Sequence, residues 1–93
     1  MDYHKISQEL IEFRNARQWG RHHTGPELAR ALSIEVSELN ELFLWGEQPE
    51  YSSLEEEVAD CFIYLIYLCK KYKINPELAI LKKIEMNAQK YPI

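Results

Sequence analysis

The residues best suited to chemistry are two acidic pairs with the same internal spacing, Glu35 with Glu38 and Glu57 with Asp60. Residues three apart on a helix are neighbours on one face, so each pair presents two carboxylates side by side. Between the pairs lies Phe43-Leu-Trp-Gly-Glu-Gln-Pro49, which reads as the end of one helix and a turn. Helices joined by so short a connection pack antiparallel, and such packing can bring the two pairs together. Four clustered carboxylates without a counter-ion repel one another and lose hydration, at a cost on the order of several kcal/mol per buried ion. Oxygen-rich sites of this kind suit hard cations such as Mg²⁺ or Mn²⁺. The expectation is a divalent-metal site between two helices.

The elements that must position these acids are four helices, with no strand pattern and no internal repeat. The first runs from about His4 to Trp19, with Ile6, Leu10 and Phe13 at helical spacing and Gly20 as a stop. Arg14, Arg17 and Arg21 near its end complement the helix C-terminus, and Trp19 is available to close the core. Thr24-Gly-Pro-Glu27 is a capping box opening a second helix that reaches about Leu44. Its seam of Leu28, Leu32, Glu35, Leu39 and Leu42 places Glu35 at a core position, with Glu38 beside it. Ser53-Leu-Glu-Glu56 is a second capping box, opening a third helix that reaches Tyr72. Glu57 lies on one of its seams with Cys61, Tyr64 and Leu68, although an acid in a first helical turn also suits the dipole. From Cys61 to Cys69 this helix is apolar nearly all round, which demands cover on more than one side and points to another subunit. Asn75-Pro76 caps a fourth helix ending near Tyr91, before Pro92. One of its faces is Leu78, Leu81, Ile84 and Ala88; another is a polar stripe of Lys83, Asn87 and Lys90, with Tyr91 nearby. The fold class expected is all-α, a four-helix antiparallel bundle completed by oligomerisation, with residues 1–93 as one domain.

Ninety-three residues make a marginal core, which association with a second copy would help. A hydrophobic fraction of 46% with 28% charged residues excludes a disordered chain. The net charge of -4 argues against broad attraction to nucleic acid polymers or anionic membranes. The apolar run Cys61–Cys69 is too short to span a bilayer, and the first residues carry no apolar signal segment. Cys61 and Cys69 lie eight apart on one helix, about 12 Å along its axis, too far for a disulfide. A reducing, cytoplasmic compartment follows as the expectation.

Charge counting suggests the ligand. Two divalent cations roughly balance four carboxylates, and a triphosphate adds about four more negative charges, which Lys83 and Lys90 on the fourth helix can partly offset. Trp19, Trp45 and Tyr64 can supply an aromatic pocket for a base, where stacking contributes about 1–3 kcal/mol. The competing expectation is a non-catalytic helical interaction module whose acidic patch meets a basic partner. A partner-facing acid has no need to interrupt an apolar seam, as Glu35 does.

Across nearly its whole length the chain resembles the all-α MazG-like nucleotide pyrophosphohydrolases, most closely their dCTP pyrophosphatase branch. The resemblance runs through Phe13-Arg-Asn-Ala-Arg-Gln-Trp19 and His23-Thr24, and through Leu32-Ser-Ile-Glu-Val-Ser-Glu-Leu-Asn-Glu-Leu-Phe-Leu-Trp45. It resumes at Glu57-Val-Ala-Asp-Cys-Phe-Ile-Tyr-Leu65 and ends with Lys83-Ile-Glu-Met-Asn-Ala-Gln-Lys-Tyr-Pro92. It implies metal ligands at Glu35, Glu38, Glu57 and Asp60. It implies nucleotide contacts at Trp19, His23, Trp45 and Tyr64, and phosphate-side contacts at Lys83, Asn87, Lys90 and Tyr91. It also implies a homodimer or dimer-of-dimers tetramer with sites near subunit contacts. The activity expected is Mg²⁺-dependent hydrolysis of a nucleoside triphosphate, dCTP or a related pyrimidine deoxynucleotide, to monophosphate and pyrophosphate. Glu38 is the ligand placed to accept the water's proton, and nucleotide-pool cleansing is the biological sense. Leu10 stands where vertebrate relatives have a substrate-facing histidine, His22 where they have phenylalanine, and Gly25-Pro26-Glu27 where they have Pro-Arg-Asn or Pro-Lys-Asn. These departures fall near the expected base pocket.

Overall fold

Two of the helices end without the glycine that usually ends one. In the computed structural model, which describes all of residues 1–93, α1 spans Tyr3–Ala16 and Gln18 takes the left-handed conformation at φ 56°. The Trp19 N–H donates to the Arg14 carbonyl at 3.1 Å and the Gln18 N–H to the Asn15 carbonyl at 3.1 Å, the paired bonds of a Schellman cap. The apolar contact that accompanies such a cap is here Trp19 edge-on to Phe13, with ring centroids 5.6 Å apart. The helix therefore stops before Gly20, three residues short of the end expected, and Gly20–His22 forms a 3₁₀ turn instead.

α2 spans Gly25–Glu41 and is capped as its sequence requires, with Thr24 Oγ1 accepting from the Glu27 N–H at 3.2 Å. It ends sooner than expected, and residues 42–45 continue as turns closed by bonds such as Leu44 N–H to the Glu41 carbonyl. α3 spans Tyr51–Lys71. It begins two residues ahead of Ser53, because Glu50 takes the extended cap position and its carbonyl accepts from the Leu54 N–H at 3.1 Å. The Ser53 capping box is therefore not used. α3 ends in a second Schellman-type turn, with Lys73 at φ 56° and the Ile74 N–H on the Cys69 carbonyl at 2.9 Å. α4 spans Pro76–Lys90, and Asn75 Oδ1 caps it through the Leu78 N–H at 3.2 Å.

The principal packing is α2 on α3, with α1 laid across α3. The start of α2 meets the end of α3, since the Tyr72 phenol occupies the space a Cβ on Gly25 would take. The middle of α2 meets the start of α3 at Glu35, Glu57 and Asp60. The pair is antiparallel, as expected. Leu28, Ile66 and Tyr67 form the core, and Tyr67 spans to α1 by donating its hydroxyl to the Leu10 carbonyl at 2.9 Å. Ser7 is buried in the same layer and donates to the His4 carbonyl at 3.1 Å.

The expectation of an all-helical chain of four helices and no strand is borne out. One chain, however, packs only three of them together, and α4 is exposed along almost all of its length. Its apolar residues Leu78, Leu81 and Ile84 are 61%, 57% and 58% exposed. The chain's accessible surface is 7655 Å², where a compact 11.1 kDa monomer exposes about 5,700 Å². Its radius of gyration is 15.6 Å, against about 12 Å for a compact domain of this length.

Candidate active site

α2 contributes Glu35 from its apolar seam, and α3 contributes Glu57 and Asp60 from its first turns. One carboxylate oxygen from each lies within 4.8 Å of the others, and all three side chains are half-buried. Glu35 Oε2 and Glu57 Oε2 are buried with no hydrogen-bond partner. Buried oxygens of this kind are normally satisfied, so a pair of them facing a third carboxylate marks a place for a cation. Burial first, then the close approach of the Glu38 and Glu57 carboxyls and the charge of Asp60, pushes the Glu35 carboxyl up to about 7. Below about that pH the carboxyl carries a proton when no ion is bound.

Glu38 stands one turn on from Glu35, exposed and near enough to act on its carboxyl, without joining the tight group of three. The donor set is all oxygen, partly desolvated and open on one side. It fits a hard divalent ion that keeps some of its waters. A pH dependence follows from the proton on Glu35. Magnesium affinity, measured by calorimetry, should weaken about tenfold for each pH unit below about 7 and level off above it, as one proton is displaced. The ion-free protein should show the opposite slope. The Glu35 contribution to stability is fully present below about pH 4.5 and is lost as pH rises to about 7, because the raised pKa belongs to the folded state.

Glu35 and Asp60 form the acidic end of a cleft of about 620 Å³. Its other walls include Ile6, Leu10, Phe13, Trp19, His23 and Tyr64. The Schellman cap described above is what brings Trp19 back over Phe13, and Arg17 lies on the Phe13 ring with its guanidinium carbon 3.5 Å from the centroid. His23 packs against Tyr67 at 4.6 Å between ring centroids, and its Nδ1 is buried without a partner. Burial foremost, then the Arg14 charge, lowers the His23 pKa, with Glu27 opposing. The ring is accordingly neutral at neutral pH, and its free nitrogen can bond a ligand in either sense, by tautomer. Burial and the nearby charges of Glu35 and Asp60 raise the Tyr64 phenol, keeping it a hydrogen-bond donor.

Of the residues singled out in the sequence, the structure brings Glu35, Glu57, Asp60, Trp19, His23 and Tyr64 to this one place. Trp45 is not among the cleft's walls. It sits in the turn after α2 and is 97% exposed. Lys83, Asn87, Lys90 and Tyr91 are likewise absent from it, because α4 does not pack on the other helices within one chain. Lys90 instead lies near the Tyr91 ring, 5.4 Å from its centroid. Sequence reading passed over Glu9 and Tyr67, both of which line the cleft. Tyr67 carried a signal, since it follows Tyr64 by three and shares its face.

The same fold is present in a protein of known structure. A pyrophosphatase from Archaeoglobus fulgidus superposes with a TM-score of 0.93 at 38% identity, covering 100% of this chain and 94% of that one. The dCTP pyrophosphatase 1 proteins of Homo sapiens and Bos taurus are 37% and 36% identical over 91 and 92 residues. These matches take in 87% and 88% of this chain but 54% of each relative, so the chain spans about half the length of the curated relatives it matches. No protein-family model matches it. The chain belongs to the MazG-like nucleotide pyrophosphohydrolase family.

Proposed function

We propose that this chain hydrolyses a nucleoside triphosphate, dCTP or a related pyrimidine deoxynucleotide, to the monophosphate and pyrophosphate. The observation that carries this reading is the meeting of Glu35, Glu57 and Asp60, two of them with unpartnered buried oxygens, at the end of an aromatic-lined cleft. An acidic patch that served only to dock a basic partner would have no reason to bury those oxygens. The curated relatives named above carry the name dCTP pyrophosphatase 1, which supports the choice of substrate class.

In this reading Glu35, Glu57 and Asp60, with Glu38 at the rim, hold Mg²⁺, or Mn²⁺ in its place. The ion would supply positive charge to the triphosphate and acidify a water. Glu38, exposed beside Glu35, takes the proton released as the water attacks the α-phosphorus. Trp19, Phe13 and Tyr64 hold the base by stacking. The His23 Nδ1 bonds its edge, and the apolar walls at Ile6 and Leu10 exclude water. Leu10 offers no hydrogen bond, so base selection rests on His23, Tyr64 and the acids.

Lys83, Asn87, Lys90 and Tyr91 reach phosphates only if α4 of one copy lies over the cleft of another. The excess surface of the single chain, about 2,000 Å² over a compact monomer, matches what a permanent interface buries. A homodimer, or a tetramer of two dimers, is the assembly this reading calls for. Both cysteines are free, in keeping with a reducing, cytoplasmic setting, and no helix is long and apolar enough to cross a membrane. Removing surplus or non-standard nucleotides before a polymerase uses them would be the biological task.

Incubation with each deoxynucleoside triphosphate and Mg²⁺, followed by separation of the products, tests the reading. Monophosphate and pyrophosphate are expected, with cytosine nucleotides preferred and turnover lost in chelator. Orthophosphate and a nucleoside diphosphate would reject attack at the α-phosphorus.

A further inference from the structure

His23 and Tyr67 are walls of two cavities. Behind the acidic cleft lies a second hollow, also of about 620 Å³, and its character is the reverse of the first. Arg14 from the last turn of α1 and Lys70 and Lys71 from the last turn of α3 line it, together with Gln8, and no lining residue is acidic. In a chain of net charge -4, three cations around one hollow without a carboxylate among them are a concentration against the average.

The arginine is held in place. Its guanidinium carbon lies 5.8 Å from the Tyr67 ring centroid, and its Nε donates to Asn15 Oδ1 at 3.3 Å. Its stem runs past Gly20, where a Cβ would sit 3.5 Å from Nε. The Nε bond leaves the terminal amino groups to donate elsewhere, in the fork geometry that matches phosphate oxygens.

Cations at helix C-termini also serve the helix dipoles, and that role must be subtracted. Each helix end carries about half an elementary negative charge. Two ends offset about one of the three cations, which leaves an excess near two. Glu27 lies close enough to His23 to act on it but is not among the walls. The remaining positive charge is matched to a phosphate dianion or a short polyphosphate, and the volume admits a whole nucleotide.

We propose that the hollow formed by Arg14, Lys70, Lys71 and Gln8 is a second binding site, for a phosphate-bearing anion, separated from the acidic cleft by the His23–Tyr67 wall. Two sources share this chemistry: pyrophosphate itself and the phosphates of a nucleotide. The proposal does not depend on the activity assigned to the cleft.

The test is calorimetric titration of the whole protein with inorganic pyrophosphate in chelator, where the bare carboxylates of the cleft repel polyphosphates. One saturable site per chain is expected, weakened at least about tenfold by Lys70→Ala combined with Lys71→Ala and again by 200 mM salt. The two lysines are exposed, so the double variant should fold, and its circular dichroism is the control. Arg14→Gln supplies a second, independent variant. A parallel titration with dCTP separates the sources: tighter binding than pyrophosphate identifies a nucleotide as the occupant, and equal binding identifies the phosphates alone. Absence of saturable binding to the wild type, or equal affinity in the wild type and the double variant, overturns the site. Hydrolysis by the double variant is read separately, so a failed site and a failed enzymatic reading give different results.

Discussion

Glu35→Gln is expected to lower hydrolysis by at least about 100-fold and, in the same protein, to raise the melting temperature measured in chelator at pH 8. The two effects have one cause. Glu35 shares a half-buried pocket with Glu57 and Asp60, and its carboxyl is pushed up to about 7 by burial first and by its acidic neighbours second. At pH 8 it is ionised without a partner. Glutamine keeps the shape and removes the charge, relieving repulsion on the order of 2 kcal/mol after water screening is allowed for. For a domain of this size that is a rise of several degrees. The cost appears in ion binding. Even residues that only support a metal ligand typically contribute 10–100-fold, so loss of a ligand itself should exceed that range. Added Mg²⁺ should stabilise the wild type by mass action and leave the variant unmoved. A fall in melting temperature with activity preserved would show that Glu35 is a structural residue and would remove the centre from which the function is argued.

Leu81→Glu combined with Ile84→Glu is expected to convert an oligomer to a monomer by light scattering and to abolish turnover with it. Both side chains are more than half exposed in one chain, so charges there cost an isolated molecule little. Covered by a second copy, each contributes about 1.5–3 kcal/mol of burial. Losing both weakens association by roughly 10² to 10⁴, before the penalty of burying carboxylates is added. In the proposed reading turnover should be lost with it, because Lys83, Asn87, Lys90 and Tyr91 ride on the same helix. An unchanged mass would mean that α4 is not an interface, and the phosphate-side role of those four residues would go too.

Much of the architecture was legible because it is local. Thr24 and Asn75-Pro76 mark helix starts through side-chain bonds to the next turn, and both do so here. Glu35 stood out because a charge interrupted a seam of leucines. The errors came where a stronger contact overruled a local signal. Gly20 looked like the end of α1, yet the Trp19–Phe13 contact holds Gln18 in the left-handed position and ends the helix earlier. Ser53 looked like a cap, yet Glu50 begins the helix one turn ahead. Trp45 and the polar stripe of α4 share the chemistry of the cleft but not its location in a single chain, because spacing along a helix says which residues share a face and nothing of what that face meets. Tyr67 was missed for the converse reason. It reads as one more apolar residue in a crowded helix, and only the fold shows it bonded to α1 and separating two cavities.

The tight turn after α3 has a consequence for how such chains can diversify. Tyr72 is seated over Gly25, Lys73 is left-handed, and the Ile74 N–H is tied to Cys69, so the heading on which the last helix departs is dictated by a handful of residues remote from the carboxylates. Insertions in that joint would re-aim the arm. The face that the arm presents can thus change over evolutionary time while the acids themselves stay put.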